Sequence, residues 1–275
     1  MHTRMRPKII CHMISSVDGR LQVERWTAPA KGTDRNIVSS TYETVASRLE
    51  AQGWVVGRKS MEPMAKGKRG IAYPAATDMR HTFIGHRNGR SIAVAIDPHG
   101  KLHYGKSHRG DEHFVAVLSN NVSDSYLSEL REEGVSYLFA GDDGADLHQA
   151  METLNKDFGI ETLLLEGGGM TNGTFLKAGL IDELSLLIYP GIDGLASAPS
   201  IFHYLGEEGE KPAKGVSLRL LSSEILDEGI VCFVMHSKEN KTDPFFMIFP
   251  KAHRELIGGP VYRVRHFIIT FPLSL

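Results

Sequence analysis

Cysteine is scarce: Cys11 and Cys232 are the only two in a chain of 275 residues. They stand far apart in apolar, strand-like runs. That excludes a disulfide-framed fold and fits buried thiols of a reducing compartment. An excess of either charge is missing too. Thirty-one Lys and Arg against 33 Asp and Glu leave a formal net charge of −2, so nothing favours nucleic acid or an anionic membrane as a partner. No apolar stretch reaches the ~18 residues a membrane helix needs. Residues 1–8 (MHTRMRPK) lack the apolar core of a signal peptide. The 13 His are scattered and show no metal-ligand spacing, so no metal site is expected. These absences together predict a cytoplasmic protein. The remaining composition, 41% hydrophobic and 23% charged, is that of an ordinary globular chain.

The most informative stretch runs from Glu161 to Gly173. Residues 160–165 form a short apolar run without helical period, as in a strand covered on both faces. Glu166 and three glycines, Gly167, Gly168 and Gly169, follow directly. Thr171 and Asn172 are both good N-caps for a helix through Phe175 that ends at Gly179. On glycine content alone, two readings stand equally: a tight αβ corner, or a phosphate seat at a helix start, where unpaired amides and partial positive charge gather.

Other segments repeat the alternation of strand and helix. Strands are expected at Lys8–Ser15, Trp54–Val56, Ser91–Ile96, His113–Leu118, Val135–Ala140, Ile160–Leu165 and Asp182–Pro190. Helices are expected after Asp34, with Val38, Tyr42, Val45 and Leu49 at helical spacing, after Ser123 and from about Asp146. Two last strands, Val216–Ile225 and Gly229–His236, read as a hairpin. This order predicts an α/β fold in three layers: a mostly parallel central sheet, helices on both faces and an antiparallel C-terminal hairpin. Ligands on such sheets bind at the carboxyl ends of strands. Four polar turns fall there: Ser16-Val17-Asp18, Gly57-Arg58-Lys59-Ser60, Ser119-Asn120-Asn121 and Glu166 to Gly169. Residues 1–238 are expected to form one domain. Residues 239–275, with apolar clusters at 245–250 and 267–272, form an extension that covers a sheet edge, meets a partner subunit, or is vector-encoded or frame-shifted sequence.

Residues 100–107 (GKLHYGKS) match the P-loop spacing, but a strand rather than a helix follows, so the match is rejected. Gly167–Gly169 is not a dinucleotide-fold fingerprint, because Asn172 occupies the third glycine position. Arg58, Lys59 and Ser60 offer a guanidinium, an ammonium and a hydroxyl suited to a phosphomonoester. Asp18 and Glu166 are carboxylates at two strand ends, available to frame a polyol or to move a proton.

Taken together, residues 8–237 resemble the reductase domain of the bifunctional riboflavin-biosynthesis deaminase-reductase, within the dihydrofolate-reductase-like fold. The signature pieces are Ser15–Arg20, Gly57–Ser60, Ile96–Gly100, Glu166–Gly169, Asn172–Leu176 and Leu180–Leu184. No deaminase half is present, so the chain looks like a stand-alone reductase and, by resemblance, a homodimer. The resemblance implies NADPH. Gly167, Gly168 and Gly169, with Met170 and Thr171 beside them, would hold its pyrophosphate. Gly57, Arg58, Lys59 and Ser60 would reach the adenosine-side phosphates, and Ser119, Asn120 and Asn121 would flank the 2′-phosphate and adenine. The substrate implied is a pyrimidine ribosylamino 5′-phosphate, reduced to a ribitylamino chain. Asp18 first and Glu166 second would contact it or transfer a proton. Arg25 and Thr27 stand where the family holds the substrate phosphate, though Glu24 and Trp26 loosen that match. Two alternatives stay open: a reductase of dihydrofolate or another small imine or carbonyl compound, and a non-catalytic NADPH-binding sensor.

Overall fold

The computed structural model describes residues 5–28, 36–68 and 79–239. Asp34 and the apolar clusters of the C-terminal extension lie outside them. In chain order the elements are β1 (Lys8–Ser15), α1 (Ile37–Ser47), β2 (Gly53–Gly57), α2 (Arg58–Met61), β3 (Ser91–Ile96), β4 (His108–Arg109), β5 (Glu112–Leu118) and α3 (Asp124–Glu132). They continue with β6 (Ser136–Phe139), α4 (Leu147–Phe158), β7 (Thr162–Leu165), α5 (Gly169–Lys177), β8 (Glu183–Ile188), β9 (Val216–Ile225) and β10 (Val231–Glu239).

One sheet runs β4-β5-β3-β2-β7-β1-β8-β10-β9, with β6 also paired to β5. From β6 to β8 the neighbours are parallel, while β10 pairs antiparallel with both β8 and β9. The expected architecture is therefore present, hairpin included. β7, late in the chain, inserts between β1 and β2. Its register, Leu164 opposite Ile10 and Trp54, places Glu166 one residue past the pairing of Leu165 with Cys11 and Val55.

Strand alternation sends side chains to two faces. On one face, Leu163 and Leu165 join Ile9, Cys11 and Val55 under α4 and α5, which contribute Leu147, Met151, Leu154 and Phe175. On the other, α3 covers Ala93, Ala95, Phe114 and Ala116 with Leu127 and Leu130. On that same side α1 sets Val38 and Val45 against Leu187 and Cys232. A fully buried side chain such as Phe175 contributes roughly 1.5–3 kcal/mol, so this packing fixes where the helices lie. Between α1 and α3, the face over β1, β7 and β2 is left open as a cleft.

Helix starts follow the sequence at α3, where Ser123 Oγ accepts from the Tyr126 amide, and at α4, where Asp146 accepts from the Gln149 amide. The expectation for α5 is corrected. Neither Thr171 nor Asn172 caps it; the helix begins earlier, at Gly169, with Gly168 at the cap position. Gly168 has no side chain to offer, and the acceptor comes from elsewhere in the chain: Ser60 Oγ takes the Gly168 N–H at 3.1 Å. Asn172 is instead buried inside the helix and donates to the Ile201 carbonyl at 2.9 Å. Among the described residues, no helix is long and apolar enough to cross a membrane.

Candidate active site

The open face forms a cleft of about 570 Å³, lined by β1, α1, β2, α2, β5 and β7. Its polar lining is Tyr42, Glu43, Ser60, Glu112 and Glu166, with no Lys, Arg or His among the described residues that line it. Met13, Leu21, Val56, Met64 and Leu164 supply apolar walls.

Glu166 is held at the backbone by donating its N–H to the Val55 carbonyl at 3.0 Å. Burial pushes its carboxyl up to about 7, and the neighbouring Glu43 carboxylate adds to the rise; the Tyr42 hydroxyl opposes it. Tyr42 is itself pinned. Its hydroxyl donates to the His12 carbonyl at 3.0 Å, and its ring packs 4.2 Å from the His12 ring. His12 Nε2 lies 3.2 Å from the Tyr42 carbonyl, which can only accept, so Nε2 carries the proton. His12 Nδ1 then accepts from Ser185 Oγ at 3.0 Å. Burial lowers His12 to about 4, which keeps the ring neutral near pH 7.

The glycine corner closes the upper end. Gly57 N–H donates to the Gly167 carbonyl at 2.9 Å, joining the ends of β2 and β7. Gly167 has φ +97°, and the Gly167–Gly168 peptide is cis. A Cβ on Gly169 would lie 2.1 Å from the Ser200 carbonyl oxygen, and one on Gly57 would lie 2.3 Å from Thr171 Oγ1. These two glycines answer to packing within the chain. Gly168 differs: a Cβ there would meet nothing nearer than Ser60 Oγ at 3.7 Å, so its outer side is open. The first-turn amides of Gly169, Met170 and Thr171 have no acceptor within α5 by helix geometry.

The structure thus gathers Gly57, Ser60, Glu166, Gly167, Gly168, Gly169 and Thr171 around one corner; Met170 sits beside them, exposed. Arg58 heads α2, 3.5 Å from Glu62, and acts electrostatically on Asp97 at the end of β3. Lys59 is exposed. Ser119, Asn120 and Asn121 lie at the end of β5, two strands from β2. Their side chains are engaged locally: Ser119 Oγ accepts the Asn121 amide, and both asparagine side chains donate to Asp142, at 2.8 and 2.7 Å.

Asp18 does not line the cleft. It accepts from Ser16 Oγ at 2.7 Å and from the Asp193 and Gly194 amides at 3.0 and 2.8 Å. Those donors, led by Ser16, hold its carboxyl well below the usual carboxylate range. Arg25 and Thr27 are tied to the same loop. Arg25 makes two bonds to Asp193, at 2.9 and 3.0 Å, and Thr27 Oγ1 accepts the Ile192 amide at 3.1 Å.

Sequence reasoning missed Tyr42, Glu43, Trp54 and Glu112 as site residues. Tyr42 read as helical periodicity and Trp54 as part of a strand, and the two glutamates carry no local signal. Arg80 was missed too; it donates to the Asn120 and Val122 carbonyls and to Asp124.

Comparison with known proteins follows the same lines. The family model described as the RibD C-terminal domain matches residues 7–232. A 2,5-diamino-6-ribosylamino-4(3H)-pyrimidinone 5′-phosphate reductase from Methanothermobacter thermautotrophicus is 33% identical over 117 residues, 42% of this chain and 52% of that protein. A protein of the same name from Aquifex aeolicus is 32% identical over 109 residues, covering 39% and 47%. The chain spans about half the length of the curated relatives it matches. Among solved structures, a pyrimidine reductase-like protein from Corynebacterium diphtheriae superposes with a TM-score of 0.59 at 16% identity, covering 84% of this chain and 92% of that one. Acinetobacter baumannii RibD does so with a TM-score of 0.55 at 20% identity, covering 85% and 58%. These likenesses carry the fold, which is dihydrofolate-reductase-like.

Proposed function

The chain belongs to the RibD C-terminal domain family, and from that premise we propose that it is an NADPH-dependent reductase converting the ribosylamino group of a pyrimidine 5′-phosphate to ribitylamino. Residues 1–238 are the reductase domain and 239–275 an extension to it. The observation that carries the reading is the junction of the cleft, ending at Glu166, with a glycine corner open at Gly168.

The chain fits a nicotinamide dinucleotide at that junction. Gly168 leaves room for a ligand at the corner, and the amides of Gly169, Met170 and Thr171 suit a diphosphate. Gly57 and Ser60 hold the corner in shape. Arg58 and Lys59 would reach the adenosine ribose phosphate, with Ser119, Asn120 and Asn121 flanking the 2′-phosphate and adenine. Bound NADPH supplies the hydride that reduces the sugar carbon. The chain's own residues do the rest. The apolar walls exclude water. Glu166, with its carboxyl poised at about 7, holds a proton for the nitrogen or oxygen that gains electron density, and Tyr42 holds Glu166 in place. Asp18, locked as an acceptor, shapes the loop at 191–195 for substrate contact rather than proton delivery.

The buried free thiols Cys11 and Cys232 suit a reducing cytoplasm. Edge strand β9 exposes Leu218, Leu220, Leu221 and Ile225, which supports a homodimer closed across that edge. The test follows NADPH oxidation at 340 nm with a panel of the ribosylamino pyrimidine phosphates, dihydrofolate and small imines. Turnover of a pyrimidine phosphate is expected. Turnover of dihydrofolate instead, or tight NADPH binding with no turnover at all, would overturn the reading in favour of another reductase or a sensor.

A further inference from the structure

The cleft has a second end, away from the glycine corner. There Trp54, the second residue of β2, and Glu112, at the start of β5, meet across β3. Trp54 stands opposite Ala93 in the sheet register, and Ala93 opposite Phe114. Glu112 precedes Phe114 by two residues and so shares its face. The small Ala93 leaves the indole room to lean over β3, and Trp54 Nε1 donates to Glu112 Oε1 at 2.5 Å. Trp has no acceptor and a single donor, so this bond fixes the carboxylate with Oε1 toward the indole. Oε2, and the remaining lone pair of Oε1, stay available. Among the described residues that line the cleft there is no Lys, Arg or His to compete for them.

We propose that Glu112, oriented by Trp54, is a specificity-determining residue that selects a 2-amino-4(3H)-pyrimidinone ring over the corresponding uracil ring. The inference rests on the pyrimidine-reductase reading and deepens it. If the sugar-bearing 6-amine points to Glu166 and the corner, the opposite edge of the ring, N3 and its neighbours, points to Glu112. In a 2-amino-4(3H)-pyrimidinone that edge carries N3–H beside the 2-amino group. These are two parallel donors of the kind a carboxylate accepts together, as it does from arginine. In a uracil, N3–H lies between two carbonyl oxygens. One donor remains, and the carbonyl replacing the amine faces a carboxylate that has no proton to give it. A site built to accept from a ring amine rejects the analogue lacking it, because buried acceptors are then left facing acceptors.

The test uses the full chain and two bases that differ only at C2: 2,6-diamino-4(3H)-pyrimidinone and 6-aminouracil. Binding is measured by calorimetry or competition, with no turnover required. The wild type is expected to prefer the amino base by roughly 10- to 100-fold, the scale of one charge-assisted hydrogen bond lost. Glu112→Gln supplies a donor beside an acceptor and should shrink the preference to within a few-fold or reverse it. Trp54→Phe keeps an aromatic wall but frees the carboxylate, and should lower the preference in part; it also serves if Glu112→Gln does not fold. Equal affinity of the wild type for the two bases, no binding of either, or an unchanged ratio in both variants would overturn the assignment. Its fate is separable from that of the reductase reading. The expected ratio without NADPH oxidation on any phosphoribosyl substrate would sink the reductase and leave the edge recognition. Turnover without discrimination at C2 would do the opposite.

Discussion

Replacing Glu166 by Gln tests the site without any substrate. The carboxyl sits at about 7 in the folded protein against an ordinary value of 4.5. Between those two values the folded state keeps a proton that the unfolded chain has released. Stability therefore falls as pH rises through this window, by about 1.4 kcal/mol per pH unit. Across the whole window the loss approaches ~3 kcal/mol, and it is complete above about pH 7. Glutamine has nearly the same shape and nothing to ionise. Glu166→Gln should therefore be more stable than wild type at pH 8.5, by up to ~3 kcal/mol, and close to wild type at pH 4.5. In thermal melts this is a difference of roughly 5–10 °C at the higher pH. Urea titrations of both proteins at the two pH values read it directly. Ionisable groups remote from Glu166 are common to both chains and cancel in the difference. A stability difference that is the same at both pH values, or a Gln variant that is weaker at pH 8.5, would show that Glu166 is not strained by burial and would remove the ground for treating it as the acid.

In turnover the same variant should lose ~10²–10⁴-fold in kcat with a smaller change in KM, and wild-type rates should fall as pH rises through about 7, where Glu166 loses its proton. Gly168→Ala should leave the melting temperature nearly unchanged, because its Cβ meets nothing nearer than 3.7 Å, yet weaken NADPH in a fluorescence titration. Gly169→Ala should instead unfold at clearly lower temperature, since its Cβ would lie 2.1 Å from the Ser200 carbonyl oxygen. Arg58→Ala should weaken NADPH more than NADH, and equal losses for the two dinucleotides would remove the 2′-phosphate from its role. Asp18→Asn keeps one acceptor oxygen where two now serve three donors, so substrate KM should rise with little effect on kcat. Because the Asp18 carboxyl is held below its usual range, its bonds stabilise wild type above the ordinary carboxylate value and are lost as pH falls; the Asn variant should lack that acid sensitivity in a melting series.

Most strands, most helices and the sheet's direction could be read from the residues alone, because hydrophobic period and capping are local properties. Lys8–Ser15 and Ser91–Ile96 form strands with the expected bounds, and Ser123 and Asp146 cap the helices they precede. The glycine corner was legible for the same reason: three glycines between a buried strand and a helix leave few local structures open. Which residues meet across the fold could not be read that way. The start of α5 was misplaced because Ser60, which takes the N–H of its cap residue Gly168, lies 108 residues earlier in the chain. Gly169 of the corner, and Gly57 across from it, are glycine because Ser200 and Thr171 press on them, a fact no local pattern carries. Tyr42 and Trp54 looked like parts of regular elements, and Glu112 had no local signal at all. The insertion of β7 between β1 and β2 sets all three around one cleft with Glu166, and burial there gives that carboxyl a chemistry its sequence neighbours do not announce.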